Sequence, residues 1–174
     1  MAAVGVILGS DSDLSKVKEC FEILEYCNVS FEIIISSAHR TPEQTRQWAA
    51  SAADRGIKVI IAVAGGAAHL PGVVAAHTTL PVIGVPVETS IAGGLDSILS
   101  IIQMPAGIPV AAMAAGKAGG ANAALFAVSI LSLGDKSCAE RLAQYRKEMA
   151  EKISGRNEAL NKMGYRDYIK RDRG

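Results

Sequence analysis

Aromatic side chains are scarce in this sequence, with three Phe, four Tyr and one Trp among 174 residues. An interior without large rings must be filled by small and branched aliphatic groups, and these supply most of the 49% hydrophobic content. That composition favours closely packed α/β layers over an aromatic-rich sandwich. Surplus charge is missing too. Lys and Arg number 18 against 17 Asp and Glu, a net charge of +1. No broad basic field is available for nucleic acid or an anionic membrane, so an anionic ligand needs a local site.

Cysteine is sparse and irregular. Cys20, Cys27 and Cys138 are odd in number, form no CxxC pair and follow no secretory signal, which predicts buried thiols in a reducing cytoplasm. Membrane-length apolar runs are also lacking. Residues 59–87 and 97–116 carry no Lys, Arg, Asp or Glu, yet Gly65, Gly66, Pro71, Gly72, Pro81 and Pro86 break the first, and Pro105, Gly107 and Pro109 the second. The pieces left are too short to span a bilayer and predict buried strands joined by glycine-rich turns. No Cys, Asp or Glu joins the histidines at zinc-ligand spacing and there is no GxSxG elbow, so neither a metal site nor a serine hydrolase is expected.

What is present is an alternation of apolar strands and amphipathic helices. Residues 3–8, 31–35, 58–63, 81–87 and 110–114 predict five strands. Helices are predicted from Asp13 as N-cap, over 43–55 behind Thr41 and Pro42, up to about His77, and over 95–104 and 121–133. The helix over 121–133 is apolar nearly all round, with Leu125, Phe126, Val128, Ile130 and Leu131 spread about its circumference, which points to burial on several sides and a subunit contact. A charged amphipathic helix follows Asp135. The expected organisation is one α/β domain over 1–154, including this C-terminal helical extension, and a polar tail over 155–174 without a core of its own. Strand and helix alternation predicts a three-layer, doubly wound parallel sheet of flavodoxin-like order 2-1-3-4-5.

In that order strand 1 lies between strands 2 and 3, so the loops carrying Ser10, His39 and His69 meet where the winding reverses, the usual ligand position in open α/β sheets. Gly9-Ser10-Asp11-Ser12-Asp13 offers backbone N–H groups and hydroxyls to an anion. Asp13, an acceptor only, suits ribose hydroxyls or, equally, a plain helix cap. Arg40 is the one cation in these three loops, and its planar fork suits phosphate; its position beside Ser37 and His39 favours a ligand over a surface ion pair. His39 can take and give a proton near neutral pH. His69 sits among small residues and can position substrate, whereas His77, within a helix, reads as partly buried. A phosphoacceptor receiver would need an Asp where Ala64, Gly65 and Gly66 stand. A flavodoxin would present aromatic faces to its flavin, but Trp48, the single Trp, lies on a helix.

GSDSD at 9–13, SAHRTP at 37–42, AGGAAHLPG at 64–72, SIIQMP at 100–105, GIPV at 107–110 and GKAGGANAAL at 116–125 together resemble the 5-(carboxyamino)imidazole ribonucleotide mutase family, PurE class I, over about residues 3–133. The resemblance implies a cytoplasmic enzyme of de novo purine synthesis, assembled as a homo-octamer and working without metal, cofactor or ATP. It would move the carboxyl group of a phosphoribosyl imidazole from nitrogen to ring carbon 4. It also implies that Ser10, Asp13 and Arg40 bind substrate, that Ser37, Ala64, Gly65 and Leu70 line the site, that His39 transfers the proton and that His69 shapes the pocket. The runner-up is direct carboxylation of aminoimidazole ribonucleotide by carbon dioxide, the activity of a branch that lacks the His-Leu-Pro-Gly loop found here at 69–72.

Overall fold

The structure, a computed structural model, describes residues 1–171. β1 (Val4–Leu8), β2 (Phe31–Ile35), β3 (Val59–Ala64), β4 (Val82–Pro86) and β5 (Ala111–Ala112) form one parallel sheet in the order β2-β1-β3-β4-β5, as the alternation predicts. β1, β3 and β4 are buried along their whole length, which is why they read as unbroken apolar runs: helices cover both faces of the sheet. One face, carrying Ile7, Ile60, Ala62 and Val82, packs beneath α2 (Pro42–Ala50), α3 (Leu70–Ala75) and α4 (Leu95–Ile102) through Ala49, Leu70, Val74 and Ile101. α1 (Lys18–Tyr26) and α5 (Gly116–Leu131) pack against each other, with α5 also on β3 and β4. α6 (Lys136–Met163) and α7 (Tyr165–Arg171) follow. The chain divides into two compact units, the first Met1–Ala139 and the second from Glu140 onward.

Several boundaries differ from the pattern, each for a local reason. Asp13 does not cap α1. It ends a 3-10 turn, Asp11–Asp13, whose cap is Ser10, and a second turn, Ser15–Val17, precedes the α-helix. α2 stops at Ala50 because the next turn folds back: the Arg55 guanidinium donates to Glu32 Oε1 at 2.8 Å, to the Trp48 carbonyl at 3.1 Å and to the Ser51 hydroxyl. Trp48 donates to the same Glu32 oxygen at 2.8 Å, so this ring is a structural strut.

α5 starts five residues before the predicted 121, because Gly119 and Gly120 serve close packing. A Cβ on Gly119 would lie 1.7 Å from the Ala114 carbonyl oxygen, and one on Gly120 2.9 Å from Val17 Cβ. β5 is cut to two residues: Ala111 and Ala112 pair with Ile83 and Gly84 of β4, and the ladder ends where Met113 N–H donates to the Gly84 carbonyl at 2.9 Å. α6 runs unbroken through Gly155, where the polar tail was expected to begin; the last three residues of that tail lie outside the described residues. Among the described residues no helix is long and apolar enough to cross a membrane. All three cysteines are buried, and burial pushes the Cys20 thiol up to about 12.

Gly84, in the middle of β4, is needed for space. A Cβ there would sit 2.6 Å from Ile101 Cγ2, 2.9 Å from Val110 Cγ1 and 3.3 Å from Pro71 Cβ. Gly84→Ala is expected to destabilise the protein by about 1–3 kcal/mol, the usual cost of overpacking. Gly134→Ala, which meets nothing within 4 Å, should stay within about 0.5 kcal/mol. Urea unfolding of both variants beside the parent chain checks the pair.

Candidate active site

The sheet ladder continues one bond past the strand ends and sets the loops side by side. Gly9 N–H donates to the Val63 carbonyl at 3.1 Å, Ser36 N–H to that of Leu8 at 2.9 Å and Val87 N–H to that of Ala64 at 3.0 Å. Four loops, after β1, β2, β3 and β4, therefore leave the carboxyl edge together. They enclose a cavity of about 430 Å³, within the range of small-molecule sites. Ser10, Asp13, Ser37, His39, Arg40, Ala64, Gly65, His69 and Leu70 all line it, so the residues that the resemblance assigns to the site share one space. His77 is not among them. It lies past the end of α3, exposed, beside Thr78 and Leu80 in a different recess.

The first loop is held by its own hydroxyls. Ser12 Oγ donates to Ser10 Oγ at 2.9 Å, and Asp13 N–H donates to the Ser10 carbonyl at 3.2 Å. Asp13 is only 6% exposed. Burial raises its carboxyl above the ordinary value, opposed chiefly by the charge of Lys16. The second loop is cinched by Thr41, whose Oγ1 accepts from Ser37 N–H at 2.9 Å and lies 3.0 Å from Ser36 Oγ. That tight turn presents His39 and Arg40 outward. Arg40 Nη2 donates to the Gly9 carbonyl at 3.2 Å, which ties the second loop to the first.

From the third loop His69 reaches across the cavity. Its Nδ1 lies 2.7 Å from His39 Nε2, with the rings edge-on at 77°. One of these nitrogens must donate and the other accept, so the pair can hand a proton between rings. The glycine-rich stretch is the floor. A Cβ on Gly65 would lie 2.6 Å from Val87 Cγ2, so the third and fourth loops can pack this closely only without a side chain there. Gly66, at φ 66°, turns the chain, and its N–H donates to the Oγ of fully buried Ser97 at 2.9 Å. Among the described residues no three His, Cys, Asp or Glu side chains gather where they could share a metal ion.

The fourth loop was not visible in the sequence as part of the site. It contributes Val87 and Thr89, while the turn after β1 contributes Lys16. Arg40 is therefore not the one cation there. Lys16 stands three residues beyond Asp13 in what reads as a helix face, and only the 3-10 turn Ser15–Val17 aims it at the cavity.

A family model described as AIR carboxylase matches residues 3–152. An N5-carboxyaminoimidazole ribonucleotide mutase of Pyrococcus horikoshii is 52% identical over 95% of this chain and 93% of its own. The mutase of the same name from Thermotoga maritima is 49% identical over 97% of this chain and 98% of its own. A crystal structure of Treponema denticola PurE superposes with a TM-score of 0.79 at 31% identity, covering 92% of this chain and 98% of that one.

Ser97 supplies the one hydrogen bond shown for the Gly66 amide. Ser97→Ala would strip that buried partner and should cost about 1–3 kcal/mol. Amide hydrogen exchange at Gly66, read beside thermal unfolding, should speed up in the variant; unchanged protection would show that another acceptor holds the loop.

Proposed function

The chain belongs to the AIR carboxylase family, and from that premise we propose that it is an N5-carboxyaminoimidazole ribonucleotide mutase of purine synthesis. The observation that carries the reading in the structure is the His39–His69 contact at 2.7 Å inside a cavity that also holds Arg40, Lys16 and Asp13. Such a cavity offers what the reaction needs: a guanidinium, Arg40, for a phosphate, a carboxylate for ribose hydroxyls, a proton carrier and a small apolar floor.

The chemistry follows from these parts. The carbamate N–C bond breaks with its electron pair left on nitrogen, carbon dioxide is released, and the nitrogen takes one proton. The electron-rich ring carbon 4 then adds to carbon dioxide, and the proton on that carbon is removed. Protons gained and lost balance, so one group that both gives and takes a proton suffices, and His39 fills that role. His69, bonded to the His39 ring, orients it and shares its proton. Ala64, Gly65, Ala68, Leu70 and Val87 line the wall; such small apolar groups leave room for carbon dioxide and offer it nothing to react with before carbon 4 does. Arg40 and Ser10 hold the phosphate, and Asp13 the ribose. No redox cofactor or ATP enters the balance. A cytoplasmic location suits phosphorylated small molecules that move between enzymes.

Assembly belongs to the same reading. Phe126 on α5 is 41% exposed, Leu95, Leu99 and Ile102 on α4 are 46–48% exposed, and Ile33 and Ile35 on edge strand β2 are 46% and 45% exposed. Apolar groups so arranged are what closed symmetry between identical chains covers. A homo-octamer is the form proposed. Light scattering at micromolar concentration should give a multiple of the 18.1 kDa chain. A fully active species at the single-chain mass would remove the assembly proposal.

The function is tested by supplying either the carbamate or aminoimidazole ribonucleotide with bicarbonate, without ATP, and following the carboxylated product. Strong preference for the carbamate is expected, while equal or better use of bicarbonate would make the protein a carboxylase. His39→Asn keeps the size and polarity of the ring but cannot cycle a proton, so turnover should fall about 10²–10⁴-fold with substrate binding retained. Near-normal turnover in that variant would assign the proton step to another group.

A further inference from the structure

Lys16 is held by two separate segments. Its Nζ lies 3.6 Å from Asp13 Oδ1 and donates to the Glu88 carbonyl at 3.4 Å. One ammonium group thus ties the turn after β1 to the loop after β4, across the intervening β3. The pair is unevenly exposed: the Asp13 side chain is 8% exposed and that of Lys16 39%. A carboxylate stripped of water needs a nearby cation or donors to stay charged. The other charged or titratable groups lining the cavity are His39, Arg40 and His69. Lys18, Glu19, Glu88 and Lys117 border the adjoining recess, and Asp11 shares the 3-10 turn with Asp13. Arg40 is engaged with the Gly9 carbonyl and Lys117 with Glu19 at 3.4 Å, so Lys16 is the cation with a contact to the buried carboxylate.

We infer that Lys16 is a positioning residue for the ribose-binding step: it supplies the counter-charge that keeps Asp13 a carboxylate aimed into the cavity and fastens the Thr89 loop beside it. The inference rests on the functional reading above, in which Asp13 accepts hydrogen bonds from the ribose hydroxyls. A charged carboxylate can accept from both hydroxyls of a diol, whereas a protonated one gives up part of that capacity to its own O–H. Burial already favours the protonated form of Asp13, and Lys16 is the leading influence against it. Removing the ammonium therefore moves the Asp13 titration upward, and binding weakens as pH falls toward that titration.

Lys16→Met and Lys16→Arg are compared with the parent chain in two measurements. In the first, the Met variant's KM for the carbamate, relative to the parent, should stay near unity at alkaline pH, with kcat there little changed, and rise to about tenfold as pH falls through the raised Asp13 titration. Lys16→Arg should restore the parent profile. In the second, carbon-13 titration of the Asp13 carboxyl, which needs no substrate, should move upward in the Met variant and not in the Arg variant. A KM ratio above unity but equal at every pH would mean that the ammonium touches substrate directly. A ratio of one throughout, or an unmoved Asp13 titration, would mean that other groups hold the carboxylate; any of these overturns the inference. A parent chain without mutase turnover would sink the functional reading alone and leave the Asp13 titration to decide this one.

Discussion

A parallel strand is satisfied only when both edges are hydrogen-bonded and both faces are covered, and β1 meets that condition with β2 on one side, β3 on the other and all five residues buried. Because the chain reaches β2 on one side of β1 and then returns to β3 on the other, the connecting helices fall on opposite faces. The loops that follow these three strands must then splay apart over the middle of the sheet. The cavity is this gap. Its width depends on the loops starting level, which the bonds from Gly9 to Val63 and from Ser36 to Leu8 enforce.

A floor of backbone and small side chains follows from the same constraint. At Gly65 the chain passes so close to Val87 that a Cβ has no room, and at Gly66 it turns with a left-handed φ. Gly65 is small because the loop after the fourth strand crowds it, whereas Gly66 has open space around it and is favoured by its backbone conformation. Ser97, on α4, holds this segment from beneath, so the helix after β4 supports a loop that belongs to β3.

Charge in the cavity is local and nearly balanced, in keeping with the whole chain. Asp13 faces Lys16, Arg40 is anchored to a backbone carbonyl, and the two histidines share a contact. Under the proposed function, a site built this way would meet a phosphate through fixed donors instead of a general positive field. The ordinary ion pairs on the helices, such as Arg46 with Glu43 and Lys147 with Glu151, are exposed and contribute little.

Strand and helix order, the parallel sheet and its winding, and the loops carrying Ser10, His39, Arg40 and His69 were all legible in the sequence, because hydrophobic periodicity and strand-end chemistry are local properties. Six short motifs in a fixed order also carried the family. Other features depended on contacts between distant segments. The helical start of α5 was hidden because Gly119 and Gly120 read as loop residues until Ala114 and Val17 are seen against them. The continuation of α6 through Gly155 was hidden for a different reason: a glycine there meets nothing and costs only its backbone entropy, so the helix runs on through a residue that reads as a breaker. Lys16 and Thr89 joined the site only when the turn after β1 and the loop after β4 were brought together across β3. Periodicity records which face a residue occupies, but not which remote carbonyl or carboxylate will stand opposite it; that pairing belongs to the tertiary structure alone.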